Sequence, residues 1–495
     1  MTNFRMKHRI GLLLLMLLFV LPSNSQELTA NLYETYEKYK EPSLTKRRIK
    51  HSQLIPLINS LKTNPKFEVN KVGESIEGRD LHLISFGKGG TDIFLWSQMH
   101  GDEPTATQAI FDILNFFNSD DFRKERKIIL ANTRLHFLPM LNPDGAELFQ
   151  RRNALGIDIN RDALRLQSPE GRVLKRVRDS LEATFGFNLH DQSRYYNAER
   201  TPKPATVSYL APAFNYEKDV NDVRARAMQV IVFMNDIIQN YAPGQIGRYN
   251  DTFEPRAFGD NLTKWGTGVI LIESGGYAND REKQEIRKLN YVSILAALYG
   301  IATGNYKDIS LDRYEEIPRN DRKLFDLKFE NLTYELNGQE YIIDLGIQRQ
   351  EIDDTYHDSF HYKSVIVDQG DLSTYYGYET FDASGYKVVP PKITEQMAPS
   401  VANFDRLMDF EKWVRAGFGY LRMQNIPKEK EFLPSQIHLA SATFQLPEFQ
   451  LAVGKNPTFF LEKEGRITHA VLNGFLLDLS KPLNEQGFGN ALIYR

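Results

Sequence analysis

The stretch that decides the fold runs DIFLWSQMHGDEPTATQAIFDILNFF, from Asp92 to Phe117. Its first part, Asp92 to Gln98, is a short apolar run of the kind needed by a strand buried on both faces. Its last part, Thr105 to Phe117, repeats apolar residues at helical spacing. Pro104 stands where that helix should open, since its fixed φ suits the first turn and its missing N–H would be unpaired there anyway. Between strand and helix lies the polar turn His100-Gly-Asp-Glu103.

The same texture recurs outward from this stretch. Leu135 to Leu141 (LHFLPML), Phe185 to Leu189 (FGFNL) and Gly268 to Ile272 (GVILI) read as buried strands. Pro169 to Phe185, Asp219 to Tyr241 and Asp280 to Tyr299 have helical spacing. Strands alternating with helices predict an α/β domain over residues 26–305, with a mixed, largely parallel sheet and helices on both faces. After Gly304 the pattern changes. Leu332 to Leu345 is two alternating runs around Asn337-Gly338, and Thr458 to Asn473 turns at Glu464-Gly465, so both read as hairpins. Asn403 to Val414 is the one convincing helix there. Residues 306–495 are therefore expected to be a mostly β accessory region, with Lys387 to Lys392 (KVVPPK) as a candidate linker between two parts.

Length and composition bound the rest. A chain of 495 residues exceeds one hydrophobic core, so at least two domains are expected. A formal net charge of −3 gives no electrostatic reason to expect nucleic acid or an anionic membrane surface. Residues 1–25 have the build of a signal peptide: Lys7, His8 and Arg9, an apolar run from Ile10 to Leu21, and Ser23-Asn24-Ser25 before Gln26. The run is too short to span a bilayer, so export to the periplasm or medium is expected, with no stable membrane insertion after cleavage. The sequence has no cysteine, which excludes disulfides and leaves any metal site to His, Asp and Glu.

Four polar punctuations follow four apolar runs: His100 and Glu103 after the first, Asn142-Pro-Asp-Gly145 after the second, His190 after the third, Glu273 after the fourth. In a largely parallel sheet the carboxyl ends of strands share one edge, where open α/β sheets bind ligands. Two histidines and a glutamate are the three-protein-ligand set of a catalytic zinc site, with a further position for water. Glu273, followed by Ser274-Gly275-Gly276, suits the proton shuttle.

Seven segments, taken in order, give this pattern a family. VGESIEGRD (72–80), HGDE (100–103), NPDG (142–145), RRN (151–153), DINR (158–161), NLHD (188–191) and LIESGG (271–276) occur in the order seen in zinc carboxypeptidases of the carboxypeptidase A-like family, which residues 45–304 resemble. The resemblance implies a fold of the zinc-peptidase type and one zinc ion per chain held by His100, Glu103 and His190. It implies Glu273 as general base and acid, and Arg151 as the group polarising the scissile carbonyl. Asn160 and Arg161 would grip the terminal carboxylate of a peptide substrate, for which a planar guanidinium is well shaped. Two departures stand out. Asp162 follows Arg161 where better-known members carry Asn, and an acid there is expected to weaken carboxylate binding or to recruit an amine. The family's active-site tyrosine has Tyr249 as its candidate, while Phe253 and Phe258 lie nearer the expected place.

Rival readings are a zinc amidase or deacylase acting on cell-wall peptides or N-acylated small molecules, and a non-catalytic peptide-binding protein. Asp354, His357 and His361 would share a face only if helical, and their Tyr- and Asp-rich surroundings predict loop or strand instead. His136 reads as a core residue, and the tyrosines at 362, 375, 376, 378 and 386 as packing within the β region.

Overall fold

The computed structural model describes residues 23–398, 410–428 and 430–495. The expected signal peptide therefore lies almost wholly outside the described residues, as does most of the helix expected at 403–414. Its last part is seen as helix Phe410–Arg415.

The first sheet has eight strands. In chain order the small and large strands of this part are β1 (Glu68–Glu74), β2 (Asp80–Gly87), β3 (Thr91–Ser97), β4 (Thr133–Leu138), β5 (Phe185–Asp191), β6 (Asn197–Ala198), β7 (Val207–Leu210), β8 (Ile246–Arg248) and β9 (Gly268–Ser274). All but β6 join the sheet, in the order β1-β2-β4-β3-β5-β9-β7-β8. Its centre, β4-β3-β5-β9, is parallel, and antiparallel pairings lie to either side. This is the mixed, largely parallel sheet expected.

Alternation along the central strands explains why they read as continuous apolar runs. On β3, Ile93 and Leu95 enter one core while Phe94 and Trp96 enter another across the sheet. The first core is closed by helices Thr105–Asn118, Asp222–Ile238 and Gln284–Thr303, the second by Pro169–Leu181 and Phe258–Lys264. With both faces covered, no position on β9 is free to be polar until Glu273. A fully buried ion pair, Arg287 Nη2 to Asp112 Oδ1 at 2.5 Å, joins helices Gln284–Thr303 and Thr105–Asn118, and Tyr36 also donates to that carboxylate at 3.0 Å.

Helix boundaries shift from the sequence reading for local reasons. The helix expected from Asp280 begins at Gln284 because Asp280 caps it, its carboxylate accepting from the backbone N–H of Gln284 and Glu285 at 2.7 and 2.9 Å. The helix expected to reach Phe185 stops at Leu181, where Glu182 turns left-handed and releases the chain into β5.

Beyond residue 304 the chain first returns towards the catalytic edge. Strand β10 (Asn320–Asp321) pairs with β6. A second eight-stranded sheet follows, built on β11 (Leu324–Leu336), β12 (Gln339–Asp353) and β13 (Phe360–Gly370). The hairpin turn at Asn337-Gly338 has φ of 55° and 75°, the mirror-image geometry that matches strand twist, and Glu464-Gly465 repeats it at 52° and 73°. KVVPPK carries the chain from one sheet to the next. Lys387–Val389 is a strand of this sheet, paired with β11 and with Phe459–Lys463, and Lys392–Ala398 opens a separate five-stranded sheet. The two prolines between them lack the N–H that would continue the ladder.

Candidate metal centre

Register explains how distant residues meet. His190 and Glu273 are direct partners across β5 and β9, and Ser208 of β7 faces Glu273 on the other side. Strand β3 ends beside β5 with Ser97 opposite Leu189. Gln98 and Met140 then take left-handed backbone at φ 52° each, turning the chain off the ends of β3 and β4. Leu141 and Asn142 donate to the carbonyls of Ser97 and Gln98 at 3.0 and 2.9 Å, which clasps the two turns together. His100 and Glu103 emerge from that clasp.

The three expected ligands converge. Glu103 Oε1 lies 2.8 Å from His100 Nδ1, and Glu103 Oε2 lies 2.6 Å from His190 Nδ1, with the imidazole centroids 4.9 Å apart. All three are buried, and one donor atom from each lies within 4.8 Å of the others. Burial opposes charge on Glu103, yet the two histidines hold its carboxyl well below the usual range. Burial likewise disfavours protonated His100, but Glu103 and Asp158 outweigh it and lift its pKa to about 9. His190, without that second acid, is pushed down by burial.

Asp158 is a site residue the sequence reading passed over. Its Oδ1 lies 3.2 Å from His100 Nε2, while its Oδ2 lies 3.0 Å from Arg151. A carboxylate on the outer nitrogen fixes which ring nitrogen faces inward, the usual outer support of a ligating histidine. Asp158 stands in the DINR segment but 58 residues from His100, and only folding joins them. Arg151 reaches further, with Nη1 at 3.1 Å from His100 Nδ1 and 3.5 Å from Glu103 Oε1.

Glu273 is buried, and its Oε2 has no hydrogen-bond partner among the described residues. Burial first, and the neighbouring Glu103 second, push its pKa well above the ordinary value. A carboxyl made more basic by burial, beside a ligand cluster, suits a group that takes and returns a proton. Asp191 braces the end of β5, accepting from Thr105 Oγ1 at 2.6 Å and Lys283 Nζ at 3.0 Å.

His100, Glu103, Arg151, His190, Asp191 and Glu273 line one cleft of about 360 Å³, together with Asn160, Arg161 and Tyr249. Of the aromatic candidates for the tyrosine position, Tyr249 lines it. Phe258 turns into the core beside Leu262, and Phe253 packs on Tyr216. Asn160 Oδ1 accepts from Phe258 N at 3.0 Å. Asp162 does not act as the departure from the family pattern suggested. It is buried and bonds the N–H of Gln167 and Ser168 at 2.8 Å each, because the tight turn Ile159–Arg161 sends successive side chains apart. The acid beside Arg161 is Glu254, with 3.6 Å between Nε and Oε2.

Elsewhere the rival readings resolve as expected. His361 lies on β13 and stacks on Phe432, while His357 sits in a turn and contacts Asp353. His136 bonds Ser85 and Asp92 within the first sheet.

The donor set fits zinc: two imidazoles and one carboxylate, inward nitrogens facing the carboxylate, the outer nitrogen of His100 held by an acid. Comparison with known proteins agrees. Residues 56–198 match the family model of zinc carboxypeptidases. Carboxypeptidase SOL1 of Arabidopsis thaliana is 27% identical over 176 residues, 29% of this chain and 35% of that protein. Carboxypeptidase B of Astacus astacus is 38% identical over 80 residues, 16% of this chain and 26% of that protein. The chain thus spans about a third or less of the length of these relatives. Among solved structures, a metallo-carboxypeptidase from Burkholderia cenocepacia aligns at 16% identity and a TM-score of 0.41, over 51% of this chain and 69% of that one. The stretch that matches the zinc carboxypeptidase model takes in His100, Glu103 and His190.

Proposed function

We propose that the chain is an exported zinc carboxypeptidase that hydrolyses the C-terminal peptide bond of peptides, with one zinc ion at His100, Glu103 and His190. The observation that carries this reading is the juxtaposition of Glu273, buried with an unpartnered oxygen, and the three-ligand cluster across one strand pair. Zinc, when bound, supplies Lewis acidity that lowers the pKa of a water and polarises a carbonyl.

The chain's own residues do the remainder. Glu273 takes a proton from the attacking water at its free Oε2 and returns it to the departing amine, for which its raised pKa is suited. Arg151, anchored by Asp158, presents its guanidinium where oxyanion charge develops. Arg161, with Asn160 beside it, receives the terminal carboxylate, and Glu254 keeps its guanidinium aimed across the cleft. Residues 306–495 act as an accessory β region.

The Arg161–Glu254 contact also favours a second reading. If the ion pair is permanent, Arg161 is spent and the same centre becomes an amidase with no need of a free terminus. Assay of zinc-loaded protein on a peptide and its C-terminal amide separates the two. A free terminus preferred at least about tenfold in kcat/KM supports the carboxypeptidase, since a charge-assisted bond to Arg is worth roughly 1.5–3 kcal/mol. Equal rates transfer the assignment to the amidase, and no hydrolysis of either removes both.

A further inference from the structure

The cleft does not end at Tyr249. A second chamber, of about 460 Å³, shares Tyr249, Asn250 and Asp251 with the metal-site cleft and opens on the far side of that loop. Its other walls are Tyr196, Lys218, Arg248, Arg319 and Asn320. Arg319 and Asn320 come from the segment that follows the last helix of the catalytic part, well outside the stretch matched by the family model. That segment is fastened in place. Arg248 N donates to Pro318 O at 2.7 Å, and Asn320 bridges Gln192 and Ser208 at 2.7 and 2.8 Å. At Gly247 a Cβ would come within 2.0 Å of Asn320 Oδ1, so glycine is required for this approach.

The charge of the chamber is lopsided. Three cations line it against one acid, Asp251, and that carboxylate already serves Lys218 at 2.8 Å and Arg224 at 3.2 Å. Arg248 is 7% exposed; one end of its guanidinium pairs with Glu315 at 2.6 Å, but its buried Nε has no hydrogen-bond partner among the described residues. A buried guanidinium N–H left without an acceptor is costly unless a ligand supplies one. Arg319 is exposed and enters no ion pair among the described residues. Tyr196 and Tyr249 meet edge to face at 6.1 Å, giving the entrance an aromatic rim.

We propose that this chamber is a substrate subsite that binds a carboxylate side chain, Asp or Glu, on the amino-terminal side of the cleaved bond. This rests on the peptidase reading above. The side follows from the loop itself. Asn160 and Arg161 contact its later part, at Phe258 and Glu254, whereas the chamber lies beyond its beginning at residues 249–251. A peptide whose terminus lies at Arg161 therefore reaches the chamber with its upstream residues. Specificity of this kind would come from the segment after the catalytic part, which couples the accessory region to substrate choice.

The test uses full-length zinc-loaded protein and free-terminus hexapeptides differing only by Glu or Gln at each of the three positions upstream of the cleaved bond. At one position the glutamyl peptide should be favoured about fivefold in kcat/KM, through KM, as expected for partly exposed charge-assisted contacts. Arg319→Gln should bring that ratio close to one, and so should raised salt. A ratio near one at every position, or one unmoved by Arg319→Gln, overturns the subsite. If no peptide is cleaved, the peptidase reading fails instead, and calorimetric binding of the two hexapeptides decides the chamber. Tighter binding of the glutamyl peptide that Arg319→Gln abolishes supports it, and equal binding overturns it.

Discussion

Two buried asparagines show how the catalytic sheet and the accessory β region differ. Asn188 lies on β5, two residues before His190 and on the same face, fully buried with neither amide atom hydrogen-bonded among the described residues. Asn473, equally buried in the second sheet, is saturated. Its Oδ1 accepts from Ser364 N and Asn456 Nδ2 at 2.9 and 2.8 Å, and its Nδ2 donates to Tyr362 O and Asn490 O at 2.7 and 3.1 Å. Near the ends of β5 and β9, His190 Nε2 and Glu273 Oε2 are likewise unpaired among the described residues, whereas Asn473 spends both amide atoms on holding neighbouring segments together. Unpaired buried polar groups are costly, and they persist where function repays the cost. The contrast teaches where to look for chemistry and where to look for stability.

The largest effects should come from breaking the first region's site. A His100→Ala, His190→Ala double variant removes two of the three proposed ligands and should lose zinc affinity by at least about a hundredfold, with activity following. Elemental analysis after gel filtration checks this, and full zinc retention would refute the ligand set. Glu273→Gln keeps shape and removes the proposed proton acceptor. It should lower kcat roughly a thousandfold or more while zinc content stays at the wild-type level. Near-wild-type turnover would assign the base to another group.

A smaller effect tests the seam between the regions. Asn320→Ala strips Gln192 Oε1 and Ser208 Oγ of a partner in a buried setting beside Glu273. A loss of roughly 1–3 kcal/mol in unfolding free energy is expected. Because Gln192 follows His190 by two residues and Ser208 pairs with Glu273, kcat should fall as well. Denaturant unfolding that leaves the midpoint unchanged would show the two regions to be energetically independent.

What was legible in the sequence follows the same divide. The central strands could be read because burial on both faces forces unbroken apolar runs, and the polar residues that stop those runs became the site. Hairpins at Asn337-Gly338 and Glu464-Gly465 could be read because positive φ at both turn positions restricts the residue choice. Asp158 could not, since the contact that gives it a role joins residues far apart in sequence. Nor could the place of Asp162, which a single tight turn carries away from the cleft into bonds with Gln167 and Ser168. The strand within KVVPPK was hidden because three residues carry no periodicity, and its partners lie on strands 54 or more residues away.

The last prediction asks whether saturation in the second region carries a penalty of its own. His438 is fully buried there. Its Nδ1 accepts from Leu492 N at 2.9 Å, so the ring proton sits on Nε2 and is given to Thr458 Oγ1 at 3.0 Å. No acceptor remains for a second proton, and burial pushes its pKa down to about 3. In the unfolded chain the same ring titrates near its ordinary value of about 6.5. Above that value both states are neutral and His438 imposes no pH dependence. Below it the unfolded state takes up a proton that the folded state refuses, so stability is lost as pH falls from about 6.5 towards 3. The slope for one such group approaches about 1.4 kcal/mol per pH unit. Lowering pH from 7.5 to 5.5 should therefore cost this region about 1.4 kcal/mol through His438 alone. Replacing His438 by Asn, which cannot titrate, should flatten that part of the profile even though the variant starts less stable. Denaturant midpoints of both proteins across this range, followed by the fluorescence of Trp413 in the same core, give the comparison. Parallel pH profiles would place the acid sensitivity elsewhere.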